Sequence, residues 1–245
     1  MAPERDWSWL RSAAAVLRSR AKSVRNKRAR LRAPHELTAL GRSLMLEAEA
    51  ACNWTALQRA IQFRDGLVIV LLAYRPLRLR NFAALALDRH LTRHGNRFWI
   101  HIPASETKSS RVFEAPMPEA LNAQLERYLS YYRPILLNRG GRRAAAELDA
   151  LWVSEVGTAM AGISIHKRIR KHTRAAFGEP VPPHWFRDAA ATSIAIEDPL
   201  HVRGIVSILG HASLDTAEQH YIQARTIEAS RRHLRVIADF RRGRS

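Results

Sequence analysis

The run His184-Trp185-Phe186-Arg187 is followed by Leu209-Gly210-His211 and then by Tyr221. Tyr221 offers a nucleophilic hydroxyl. His184, Arg187 and His211 offer the positive charge and hydrogen-bond donors that hold and polarise a phosphate. No acidic cluster accompanies them, so the layout suits phosphoryl transfer that needs neither metal nor cofactor. Chemistry of that kind rests mostly on positioning and on electrostatic stabilisation of the phosphate oxygens, which Arg and His side chains supply.

Each of these groups needs an element to aim it. Pro182-Pro183 opens a helix, and His184 and Arg187, at i and i+3, share one face near the end that favours anions. Earlier in the chain, Arg78 follows the turn at Pro76 and leads into the apolar helix Leu79 to Leu85, which fixes it, whereas Arg75 and Arg80 read as less constrained surface charges. Lys108 sits on a hairpin tip, Ser105 to Arg111, from which a lysine can reach a bound duplex and protonate a leaving oxygen. Gly210 ends a helix in the usual way of glycine and presents His211. Asp215 or Ser213 then caps the helix that carries Tyr221. Tyr74, Tyr128, Tyr131 and Tyr132 lie in amphipathic helices, where core packing is the better reading.

With 245 residues, an apolar share of 47% and a formal charge of +18, the chain has material for one large domain and a strongly basic surface. Such an excess of cations is the footprint of a polyanion partner, nucleic acid first among them. Nearly all the charge is arginine, so Lys22, Lys27, Lys108, Lys167 and Lys171 stand out. Cys52 is alone, which excludes an internal disulfide, and its apolar surroundings suggest a small buried residue. Met1 to Leu10 has no apolar run of the secretory kind, and Gly66 to Tyr74 is too short to span a bilayer. A cytoplasmic protein, nucleoid-associated when on DNA, is the expectation, with no membrane partner.

Periodicity predicts helices over 7–31, 36–52, 55–74, 118–137, 164–177, 184–196 and 201–209, another from Asp215 into the tail, and a further one near Leu79. Between Asp88 and Pro118 the pattern changes: Phe98, Ile100 and Ile102 alternate with Trp99 and His101, and His94-Gly95-Asn96 is a turn signal. Three short antiparallel strands are expected there, and a further short strand over Leu151 to Val153. The fold class is mainly α with a small antiparallel β-sheet (α+β). Residues 1–33 read as a basic helical arm in which Arg25, Lys27, Arg28 and Arg30 contact DNA, and 34–245 as the main domain with a C-terminal tail helix. His90 and His94 lie in the strand region without a glutamate between them, so they do not read as a zinc site.

In this order the residues resemble the tyrosine recombinase, or phage integrase, family. Its signature is an arginine after a turn, a hairpin lysine, His-x-x-Arg, Leu-Gly-His and a late tyrosine, matched here by Arg78, Lys108, His184, Arg187, His211 and Tyr221 over about residues 35 to 230. Asn81 stands where a glutamate is common, Asp188 where a histidine is, and Ala217 where a threonine is. Residues 1–33 are shorter than the separate clamp domain usual in the family and look like its last helix and linker. The resemblance implies a site-specific recombinase that cuts and rejoins double-stranded DNA through a 3′-phosphotyrosyl link on Tyr221, with the other five residues as its catalytic partners. It also implies a monomer when free and a tetramer on paired DNA sites. A truncated, inactive DNA-binding relic and a type IB topoisomerase-like strand transferase are the alternatives.

Overall fold

The computed structural model describes residues 6–20, 31–141 and 148–197. The chain divides into two units, residues 1–30 and 31–245. In the first, helix α1 (Ser8–Arg20) is opened by Asp6, whose carboxylate accepts from the backbone N–H of Ser8 at 2.8 Å and from its hydroxyl at 2.8 Å. Trp9, Leu10 and Leu17 are exposed on it. Arg25, Lys27, Arg28 and Arg30 lie outside the described residues, as do the expected helices over 201–209 and from Asp215 onward.

The second unit is built on a helical pair, α2 (Pro34–Ala50) and α3 (Ala56–Tyr74). Both begin with local chemistry visible in the sequence. Proline opens α2 and Glu36 reaches back to the Ala33 N–H at 2.8 Å. Thr55 and Gln58 cap α3 reciprocally, at 3.2 and 2.8 Å. The unbroken run Phe63 to Ala73 is buried on every side, as expected of a helix apolar all round. The two helices meet backbone to backbone: a Cβ on Gly66 would lie 2.6 Å from the Gly41 carbonyl oxygen, and one on Gly41 2.6 Å from that of Gly66.

A five-residue helix, α4 (Leu79–Ala83), leads to the sheet of β1 (Leu91–His94), β2 (Arg97–Ile102) and β3 (Phe113–Pro116). The strands are antiparallel in the order β1-β2-β3, with Leu91 opposite Ile100 and Ile100 opposite Ala115. Phe98, Ile100 and Ile102 point into the core and Trp99 and His101 away from it, the alternation read from the sequence. Gly95, at φ +60°, makes the β1–β2 turn.

The expected helix over 118–137 is broken into α5 (Asn122–Arg127), a π-helical turn over Tyr128–Tyr132, and α6 (Arg133–Leu137). Pro134 has no N–H to give, and the Arg133 N–H reaches back five residues to the Tyr128 carbonyl. The expected strand over Leu151 to Val153 is absent among the described residues. The segment makes only isolated pairings, Ala86 with Ala150 and Val153 with Ala159, and Leu151, Trp152 and Val153 are buried in the core. Cys52 is exposed, not buried: it lies in the turn after α2 rather than on the helix. Tyr128 and Tyr132 pack in the core as expected and Tyr74 partly so, but Tyr131 is 40% exposed, one residue round the helix from the buried face.

Helices α7 (Gly162–Phe177) and α8 (Pro183–Glu197) close the described unit. A buried ion cluster pins α7 to α3. Asp65 accepts from Arg64 at 2.7 Å, from Arg168, and from His172 Nε2 at 2.9 Å, while Arg64 donates to the Val153 carbonyl at 2.8 Å. Burial pushes the Asp65 carboxyl up, but the His172 hydrogen bond and the charges of Arg64 and Arg168 outweigh it and hold it below its usual value. A carboxyl lowered in the folded state adds stability above its unfolded pKa, about 3.9, and loses it as pH falls through the folded value. Asp65→Ala should therefore cost about 3–5 kcal/mol at neutral pH by leaving Arg64 buried without its carboxylate. Urea denaturation between about pH 5 and 2 should show wild type losing stability more steeply than Asp65→Asn; equal slopes would show that Asp65 is not the group responsible.

Candidate active site

Two elements converge where Arg78 and Arg187 lie. Arg78 caps α4, and α4 is held by its buried Phe82, which stacks on Trp152 at 5.1 Å and accepts the Trp152 indole N–H on its carbonyl at 2.9 Å. Tyr128 supports that segment in turn. Its hydroxyl donates to the Leu151 carbonyl at 3.0 Å and accepts from the Val153 N–H at 3.4 Å. Burial pushes this phenol up to about 12. Arg187 lies on the first turns of α8, where buried Phe186 anchors the helix and half-buried Trp185 packs beside it. The Arg187 guanidinium donates to the Pro76 carbonyl, two residues before Arg78.

That bond brings the two arginines into one another's field. Burial, and next the like charge of Arg78, push the Arg187 guanidinium down to about 10, while Asp188 pulls it back up. It remains a cation at neutral pH. A half-buried pair of like charges raises the local affinity for an anion, and a guanidinium fork matches the two oxygens of a phosphate. His184 is exposed one turn before Arg187 on the same helix, with its ring edge-on to Trp185 at 6.2 Å.

Lys108 is exposed in the β2–β3 turn. Two residues before it, the Glu106 backbone carbonyl accepts from Asn81 Nδ2 at 2.9 Å, so the turn is tied to α4, the helix that Arg78 caps. The structure thus links Arg78, Arg187 and the Lys108 turn through α4. His211 and Tyr221 lie outside the described residues.

Arg75 is not the loose surface charge expected from the sequence. It is half-buried and donates to the Pro116 carbonyl at 2.6 and 3.2 Å, stapling the end of α3 to β3. Arg80 is exposed, as expected. Sequence reasoning placed a helix at α7 and noted Lys167 and Lys171 but did not read it as a cationic face; its sixteen residues contain no carboxylate, and Lys167, Arg170, Lys171 and Arg174 are all exposed. The signal was there, in the basic run Lys167 to Arg174 at helical spacing. Sequence reasoning singled out Asn81 and His90 on other grounds but not their meeting with Glu106, which happens only in three dimensions. Among the described residues no cluster of His, Cys, Asp and Glu is arranged to hold a metal ion, and no helix is long and apolar enough to cross a membrane.

No family model matches the sequence. Over 117 residues the chain is 32% identical to the tyrosine recombinase XerC of Natranaerobius thermophilus, a match covering 46% of this chain and 38% of that protein. The chain thus spans well under half of the curated relative it matches. Several solved structures share its fold. The XerH site-specific recombinase, bound to its difH substrate before cleavage, aligns with a TM-score of 0.55 at 18% identity over 78% of this chain and 50% of that one. The XerA recombinase aligns with a TM-score of 0.53 at 22% identity over 75% and 56%. The chain is thus similar in sequence to a tyrosine recombinase over part of its length and shares the fold of the XerH and XerA recombinases over most of it.

Proposed function

We propose that this chain is the catalytic domain of a site-specific DNA recombinase that breaks and rejoins double-stranded DNA through a 3′-phosphotyrosyl intermediate. The observation that carries the reading is the Arg78–Arg187 pair, set by the Arg187 bond to the Pro76 carbonyl on a fold shared with enzymes of that class. In the forward step the Tyr221 hydroxyl attacks the scissile phosphorus. The P–O5′ bond breaks as the Tyr221 O–P bond forms. His184 accepts the tyrosine proton, Lys108 delivers one to the leaving 5′-oxygen, and Arg78, Arg187 and His211 hold the non-bridging oxygens. Attack by a 5′-hydroxyl on the phosphotyrosine reverses every bond change, so rejoining needs no nucleotide cofactor. The XerH structures before and after cleavage of its DNA are consistent with a DNA partner for this chain. Its own exposed cationic face on α7 agrees with that partner, and a tetramer on paired sites completes the proposal. The work would be done in the cytoplasm, at the nucleoid.

Covalent trapping tests the reading. A duplex recovered from a random-sequence pool by binding to the chain, nicked beside the cleaved phosphate, lets the short product diffuse away and strands the enzyme on DNA. A labelled adduct on a denaturing gel is expected. Binding without an adduct would favour the inactive relic, and relaxation of supercoiled plasmid without strand exchange would favour a topoisomerase.

Arginine side chains that neutralise phosphates release condensed counterions, so binding should weaken steeply with salt. Neutralising Arg25, Lys27, Arg28 and Arg30 together should weaken binding to unrelated duplexes alike. It should also lower the slope of log K against log salt by up to about 0.9 for each phosphate that is no longer neutralised. An unchanged slope would return the arm to a solvated surface.

A further inference from the structure

We propose that Glu106 is a positioning residue that fixes the Lys108 turn against α4, and that His90 and Asn81 hold Glu106 for that purpose. The proposal rests on the reading of Lys108 as the acid for the 5′-oxygen.

A proton donor must come within hydrogen-bond reach of the atom it protonates, and a lysine on a free hairpin tip spends little time there. The β2–β3 tip is not free. Three ties converge on Glu106. Its carboxylate accepts from Arg89 and lies 3.0 Å from His90 Nε2, and its backbone carbonyl accepts from Asn81 Nδ2 at 2.9 Å. Just beyond, the Thr107 hydroxyl donates to the Arg111 carbonyl at 2.7 Å and accepts from the Arg111 N–H at 3.1 Å, drawing together the residues on either side of Lys108. Ser110 takes a φ of 51° to close that loop.

His90 is built for one task. Its side chain is 3% exposed, and its Nδ1 accepts the Ala86 backbone N–H at 3.1 Å. An Nδ1 that accepts carries no proton, so the ring proton sits on Nε2 and is aimed at the Glu106 carboxylate. The hydrogen bond from Arg89 lowers the Glu106 carboxyl, burial raises it by less, and His90 lowers it further, so the acceptor is ionised at neutral pH. Asn81 is equally specific. Its amide donates to a carbonyl, which a carboxylate at 81 could not do. The ties reach across 16 and 25 residues, from the turn just before β1 and from the helix that Arg78 caps. A turn that needed only to connect two strands would require none of them.

The test uses the full chain and the nicked duplex of the trapping assay, in two forms: the ordinary 5′-bridging oxygen, and sulfur in its place. A thiol has a pKa near 8.5, so it leaves as thiolate without help from an acid. Lys108→Ala should slow cleavage of the oxygen substrate by about 10²-fold or more. Glu106→Ala and Asn81→Ala should slow it by about 10- to 100-fold through misplacement of the donor. Glu106→Gln, which keeps an acceptor for His90, should recover part of that loss. All three alanine variants should cut the sulfur substrate at close to the wild-type rate, and thermal melting confirms that each is folded. Glu106→Ala and Asn81→Ala slowed equally on both substrates, or on neither, would overturn the proposal while leaving Lys108 as the acid. Lys108→Ala unrescued by sulfur would instead sink the reading beneath it.

Discussion

Tyr221→Phe is expected to form no covalent adduct with nicked DNA while binding the same duplex within about tenfold of wild type, the range of one hydrogen bond. The phenol oxygen is the nucleophile in the proposed reaction and adds almost no charge or volume. The structure narrows the field around it. Tyr128 and Tyr132 are fully buried, and the Tyr128 hydroxyl is engaged by Leu151 and Val153 in a setting that makes it a poor source of phenolate. Tyr74 is partly buried and its hydroxyl accepts from Arg42 at 3.1 Å. Tyr131 is the exposed one, with Arg127 lying over its ring at 4.4 Å. Tyr131→Phe is therefore the control and should trap as wild type does. An adduct with Tyr221→Phe, read on a denaturing gel, would remove Tyr221 as nucleophile.

Arg187→Ala should lower the single-turnover cleavage rate by about 10²- to 10³-fold, the loss found when one donor to a transition-state oxyanion is removed. Arg187→Lys should recover only part of this, because an ammonium cannot bond two phosphate oxygens and the Pro76 carbonyl with a planar fork. The substitution has a second, smaller effect. It deprives the Pro76 carbonyl of its charged donor and should cost about 1–3 kcal/mol of stability. Rates measured well below the melting temperature of each variant separate the two. A rate within about threefold of wild type would show that Arg187 holds the Pro76 turn and not the phosphate.

Much of this was legible in the sequence because it depends on local pattern. The apolar run of α3 needs no partner to be recognised, and neither does the alternation of Phe98, Ile100 and Ile102 or the proline start of α8. The rest depends on approaches that no window of sequence contains. Gly41 and Gly66 matter because two backbones touch there. Arg75 looked like a surface charge because its acceptor, Pro116, is 41 residues away. Tyr131 and Tyr132 are adjacent and equivalent in composition, yet helical rotation exposes one and buries the other. Asp65 left a trace: a charged pair inside an apolar helix is a costly thing to bury and therefore implies distant partners. Which partners, the sequence did not say. The site divides in the same way. The residue types and order of Arg78, Lys108, His184 and Arg187 stood out, whereas Asn81, His90 and Glu106 are ordinary residues until the fold brings them together.

The ion cluster between α3 and α7 has a consequence for the chain as it is made. His172 follows its partner Asp65 by 107 residues. At 5–20 residues per second, translation takes roughly 5 to 20 s to cover that distance. For nearly all of it Arg64 and Asp65 are present while Arg168 and His172 are not yet synthesised. The most apolar helix of the described core thus has α2 to pack on early but lacks, until later, the helix that completes its ion cluster. A chain cut short anywhere in this interval has a central helix with α2 but not α7 to close on, and such chains are the ones that aggregate or are degraded.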